Sequence, residues 1–225
     1  MNRSKKVWLL ISAITLVACG GPSRSVPSAT PTAYSFAGQT EHLAGIEGIR
    51  ATIVWTIAPK TLSSSAQSTW IGIFGKADSG TRLSFKIAQI GWKQAGQDPP
   101  RAFWEWGTDQ SDNHIRYGPE VASGDVLQVE LDRSPNGEYA FLANGVAVAK
   151  ISLAWVPDYV SANAETQNPG DYLAGSSGAP ETVSGLAVKV QGTWRPLAGD
   201  VYSTSSSYRA KSDSQDNLLI WDSRL

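Results

Sequence analysis

The chain has 225 residues, a formal net charge of −1 at pH 7, two histidines and one cysteine. It carries no basic run, which argues against nucleic acid or an anionic surface as partner. His42 and His114 are far apart, with no Cys, His or carboxylate cluster at ligand spacing, so no metal or other cofactor is expected. No cysteine follows position 19, so stability rests on packing and not on disulfides.

Arg3, Lys5 and Lys6 precede an apolar stretch from Val7 to Ala18, which closes as Leu16-Val17-Ala18-Cys19. A basic start, a short apolar run and small residues before a cleavage point make a secretory signal. The run is too short to cross a bilayer. Its ending resembles the lipobox of bacterial lipoproteins, and the resemblance implies that Cys19 is acylated and becomes the mature N-terminus. The expected address is the cell envelope. Gly20 in place of Asp points away from inner-membrane retention, and so toward the outer membrane in a Gram-negative cell. Residues 19–40 are rich in Ser, Pro, Ala, Thr and Gly and are expected to form the lipidated cysteine and a flexible tether. Residues 41–225 then form one folded domain, long enough to bury a full core.

Within that domain the apolar residues recur with a period of two. Ile49, Ala51, Ile53, Trp55 and Ile57 alternate with Arg50, Thr52, Val54 and Thr56, and Pro59 ends the strand. A polar loop over 61–69 leads to an apolar strand from Trp70 to Phe74. Leu83, Phe85, Ile87 and Gln89 share one face of the next, and Phe103 to Trp106 is an aromatic strand carrying Glu105. Strands are expected over 126–131, 139–143 and 146–151, with Pro135-Asn136-Gly137 and Asn144-Gly145 as turns; the latter is a type I′ hairpin signal. Further strands are expected over 159–165, 183–190 and 218–221, and no segment after the signal has helical periodicity of useful length. The fold class is therefore all-β, an antiparallel β-sandwich. The chain has nine tryptophans, all but Trp8 in this domain; there they serve as core bodies or line a cleft, and number alone favours the core.

The chemistry is narrowed by elimination. No nucleophile elbow, phosphate loop or dinucleotide fingerprint is present. A Ser-His-Asp site would need His42 or His114, neither of which has local support. What remains are carboxylates and amides: Gln89 on an apolar strand face, Glu105 between Trp104 and Trp106, and Glu165 at the end of a strand. Each reads either as a rim or solvated polar residue or as a group aimed at a ligand.

The order of segments adds to this. His42-Leu43-Ala44-Gly45, a strand ending at Pro59, Trp70-Ile71-Gly72-Ile73, Gln89-Ile90-Gly91, Phe103-Trp104-Glu105-Trp106, Gly124-Asp125 and Asn163-Ala164-Glu165 follow one another. This series resembles the eqolisins, the glutamic peptidases of family G1, over nearly the whole domain. The resemblance implies a concanavalin A-like sandwich of two curved antiparallel sheets. It also implies a catalytic pair, Gln89 and Glu165, facing each other across the concave sheet, with Trp70 and Glu105 near the cleft; in a binding protein the same concave face, with Trp70, Trp104 and Glu105, would hold the ligand. The implied activity is that of an endopeptidase working in acid on a polypeptide substrate. The departures are Leu43 for the Trp of W-A-G, Phe74 and Lys93 where the family has Asp, and Thr166-Gln167-Asn168-Pro169 after the glutamate. The alternatives are a non-catalytic sandwich that binds a glycan or peptide, and an envelope protein that serves as a docking surface.

Overall fold

The computed structural model describes residues 34–76, 84–109 and 112–225. The expected signal sequence, Cys19 and most of the expected tether lie outside these residues. The strands in chain order are β1 (Ser35–His42), β2 (Ile46–Val54), β3 (Ala66–Gly75), β4 (Ser84–Ala95), β5 (Arg101–Asp109), β6 (Asn113–Glu120), β7 (Leu127–Arg133) and β8 (Tyr139–Ala143). Then come β9 (Val146–Ile151), β10 (Pro157–Thr166), β11 (Gly175–Ser176), β12 (Ala179–Val190), β13 (Thr193–Pro196), β14 (Asp200–Ser203), β15 (Tyr208–Ser212) and β16 (Leu218–Asp222).

They form two antiparallel sheets packed face to face. One runs β14-β1-β10-β3-β4-β5-β6, and the other runs β15-β16-β12-β2-β7-β8-β9, with β11 and β13 pairing along β12. Between them lies the main core. The first sheet contributes Ile71, Ile73, Ala88, Ile90, Trp92, Ala162 and Ala164; the second contributes Ile49, Ile53, Val129, Leu131, Phe141, Val183, Val188 and Ile220. The alternation that turns one set of side chains inward turns the next set outward. On the outer face of the first sheet those side chains form a second apolar cluster of Phe36, Trp70, Phe74, Ile87 and Phe103. Strand β3 is buried at every position because it is covered on both faces, which is why Trp70 to Phe74 read as an apolar run without alternation.

Two expectations are corrected here. Residues 35–40, assigned to the tether by composition, form most of β1, a strand set between β10 and β14. The glycine among them is a packing requirement: a Cβ on Gly38 would stand 2.0 Å from the Asn163 side-chain oxygen. Residues 66–69, read as part of a polar loop, belong to β3. The Asn144-Gly145 turn takes positive φ at both residues, 49° and 76°, as a type I′ hairpin requires.

Candidate functional site

The outer face of the first sheet is assembled in cross-strand rows. One row is Phe36, Glu165, Ser68, Lys93 and Arg101 on β1, β10, β3, β4 and β5. The next is Gly38, Asn163, Trp70, Gly91, Phe103 and Tyr117, and the one after it Thr40, Ser161, Gly72, Gln89, Glu105 and Ile115. Gln89, Glu105, Trp70, Lys93 and Glu165 therefore share one face, although residues 70 and 165 are far apart in the chain. Gly91 makes this possible. Its absent Cβ would stand 2.0 Å from the Thr69 carbonyl oxygen, so any side chain there would force β3 and β4 apart.

Gln89 and Glu165 are not direct partners. Gln89 pairs with Gly72 and Glu165 with Ser68, so they are separated by β3 and by four residues along it. In a flat sheet that is about 10 Å across and about 13 Å along. Each has a different hydrogen-bond partner. The Gln89 amide donates from Nε2 to Glu105 Oε2 at 2.8 Å. Asn113 donates from Nδ2 to Glu105 Oε1, also at 2.8 Å, so Glu105 is held between two amides and is 1% exposed. Glu165 is half-buried and accepts the Trp70 indole N–H at 2.9 Å.

Burial pushes the Glu165 carboxyl above the usual carboxylate range. The nearby Lys93 ammonium and the Trp70 hydrogen bond act against that rise, and the Glu105 charge adds to it. For Lys93, burial acts to lower the pKa, but the carboxylates of Glu105 and then Glu165 outweigh it and hold the ammonium above its ordinary value. Its Nζ stands 5.6 Å from the centre of the Phe103 ring. Phe74 has joined an aromatic row: it stacks on Tyr159 at 4.8 Å and tilts against Trp70 at 5.4 Å, and Tyr159 in turn meets His42 at 5.0 Å. At this face a cation and a phenyl ring thus replace two carboxylates expected from the family pattern.

Trp104 is a correction. It alternates with Phe103 and Glu105, points to the opposite side of β5, and packs with Trp106 against the main core. It lines no site with Gln89. The period-two rule, applied to Trp104-Glu105-Trp106, separates the glutamate from both of its neighbours. Asn113, which clamps Glu105, was missed because no strand was expected where β6 runs. Also missed was the hydroxyl chain beside Glu165, in which Asn163 donates to Ser161 Oγ at 2.6 Å and Ser161 Oγ meets Thr40 Oγ1 at 2.6 Å. The two histidines stay apart, each beside an aspartate: His42 near Asp158 and His114 near Asp112. Among the described residues no group of three or more His, Cys, Asp or Glu is placed to hold a metal ion. A separate hollow of about 510 Å³ lies at the edge of the sandwich near Ala102, Val126 and Val146, away from these residues.

With this geometry in view, the chain is similar in fold to solved structures of peptidases. A structure of SCP-B, a member of the eqolisin family of peptidases, in complex with the tripeptide Ala-Ile-His, superposes with a TM-score of 0.61 at 15% identity. The match covers 84% of this chain and 98% of that one. Scytalido-glutamic peptidase with a peptide-based transition-state analogue gives a TM-score of 0.54 at 15% identity over the same shares of the two chains. A second structure of that peptidase with a transition-state analogue inhibitor gives 0.54 at 14%. No protein-family model matches the chain, and no curated protein matches it by sequence. The domain is an eqolisin-like β-sandwich.

Proposed function

We propose that this is an exported, lipid-anchored glutamic peptidase that hydrolyses peptide bonds in mild acid. The observation that carries the reading is Glu165: a half-buried carboxyl with a raised pKa, hydrogen-bonded by an indole, on the same sheet face as Gln89 and Glu105 of an eqolisin-like fold. Glu165 takes a proton from the attacking water and returns it to the leaving amine. An amide nitrogen carries two N–H donors. Gln89 gives one to Glu105, and the other is the donor for the substrate carbonyl and the oxyanion that develops from it. Asn113 and Glu105 hold the Gln89 side chain in that orientation. The structures of peptide-bound and analogue-bound eqolisins support a polypeptide as the substrate. Anchoring through Cys19 would confine the activity to the envelope.

The test is mass spectrometry of denatured casein incubated with the protein in mild acid. New peptide termini should appear, persist in the presence of a chelator, and vanish with Glu165→Gln.

A peptide-binding protein without catalysis is the second reading. It is favoured by the Gln89–Glu105 hydrogen bond, which satisfies part of the amide inside the protein, and by Phe74 and Lys93 in place of two carboxylates. Peptide binding by a folded protein, with no new termini, would establish it.

A further inference from the structure

Lys93 and Arg101 are directly paired across β4 and β5 on the site face, in the same row as Glu165. Cross-strand partners have Cβ atoms about 5 Å apart, so the two cations share one end of the face. Arg101 is exposed and donates from Nε to the Gly118 carbonyl at 2.9 Å. Lys93 is half-buried, yet among the described residues it makes neither a hydrogen bond nor an ion pair. An ammonium has three N–H donors, and the close contact of this one is the face of the Phe103 ring, 5.6 Å from Nζ, which takes up no conventional hydrogen bond. Lys93 lies in the same cross-strand row as the carboxyl that the proposed reaction uses, and the two charges interact.

The other charged and titratable groups facing Lys93 are Glu105, Glu165, Tyr117 and Tyr34, and Glu120 lies across from Arg101 on β6. Glu105 already accepts two amide hydrogen bonds, and Glu165 accepts one from Trp70. Neither carboxylate is bonded to Lys93.

We propose that Lys93, with Arg101 beside it, recognises a carboxylate of the bound peptide next to Glu165, so that the site selects peptides by a free C-terminus or an acidic side chain. The assignment rests on the peptide-binding face described above but not on catalysis. A carboxylate there accepts from the ammonium and the guanidinium together, a charge-assisted arrangement stronger than a neutral hydrogen bond. In mild acid the raised pKa of Glu165 lessens its repulsion of that group.

The experiment measures equilibrium binding by the detergent-solubilised full-length protein at pH 5, using three probes. They are N-acetyl-Ala-Ala-Phe as free acid, the same peptide as its C-terminal amide, and an amidated N-acetyl-Ala-Glu-Ala. The free acid should bind roughly tenfold or more tighter than its amide. Lys93→Met should collapse that preference, whereas Lys93→Arg, which keeps the charge, should retain most of it. If the amidated glutamyl peptide matches the free acid, a side-chain carboxylate serves as well as a C-terminus; if it binds like the amide, the C-terminus is the group recognised. Equal binding of free acid and amide, absence of binding to all three probes, or an undiminished preference in Lys93→Met would overturn the proposal. Binding with the expected preference but no cleavage would sink the peptidase reading alone.

Discussion

Glu181 gives the sharpest stability prediction. It lies on β12, wholly inside the sandwich, where Oε2 accepts from Thr69 at 2.7 Å and Oε1 from the Trp92 indole at 2.7 Å. Both donors are neutral and belong to the sheet that carries the site. Burial raises the Glu181 pKa from 4.5 to about 7, with these two hydrogen bonds offsetting only part of the rise. The folded protein therefore holds this proton more tightly than the unfolded chain. Stability is fully present below pH 4.5, declines as pH rises, and levels off above about 7. At about 1.4 kcal/mol per unit, the decline from this one group is about 3 kcal/mol. Glu181→Gln keeps the shape and mimics the protonated acid: its oxygen accepts from Trp92 and its N–H donates to the Thr69 hydroxyl. In urea titrations the variant should match the wild type within about 1 kcal/mol at pH 4.5 and exceed it by about 3 kcal/mol at pH 8. A wild type–variant difference that is the same at both pH values would refute the reasoning, since it would mean that Glu181 does not titrate inside the fold.

Trp70→Phe removes the 2.9 Å hydrogen bond to Glu165. It should cost about 1–3 kcal/mol in urea titrations and move the Glu165 titration to higher pH, since that bond favours the ionised form. Gly91→Ala should fail to fold or lose more than about 3 kcal/mol, because its Cβ has no room between β3 and β4; a thermal melt checks this. Glu105→Ala leaves the Gln89 and Asn113 amides without their shared acceptor. It should destabilise the protein by about 2–4 kcal/mol, and it should lower the Lys93 pKa, which isotope-labelled lysine NMR would report.

The sandwich was legible because burying one face of an antiparallel strand leaves a period of two, and most strands of this domain show it. Where the sequence misled, a second constraint was at work. β10 leaves no room for a Cβ at Gly38 of β1, and with Ser35, Ala37 and Thr40 beside that glycine the composition reads as linker. β3 lost its alternation because an aromatic cluster covers its outer face as well. In the site, Gln89, Glu105, Glu165 and Trp70 were identifiable by motif order, and the sheet brings all four to one face. Trp104 was misassigned by proximity to Glu105, although alternation sets the two on opposite sides. Asn113 and Lys93 act through cross-strand pairing, and the register that joins them to Glu105, Glu165 and Arg101 comes from strands with no local sequence link. Glu181 shares its strand face with Val183, a hint of burial, but its partners Thr69 and Trp92 belong to the opposite sheet.

The central claim is that Glu165 moves the proton in peptide hydrolysis. Its most direct test is the rate of cleavage of a quenched peptide from pH 3 to pH 8 by the wild type and by Glu165→Gln. The expected profile falls on the acid side with a midpoint above the usual glutamate value of about 4.3, and Glu165→Gln lowers the rate by roughly a hundredfold or more above that midpoint, with the two converging in acid. Cleavage by Glu165→Gln at the wild-type rate above that midpoint, or no cleavage at any pH by a demonstrably folded wild type, would contradict it.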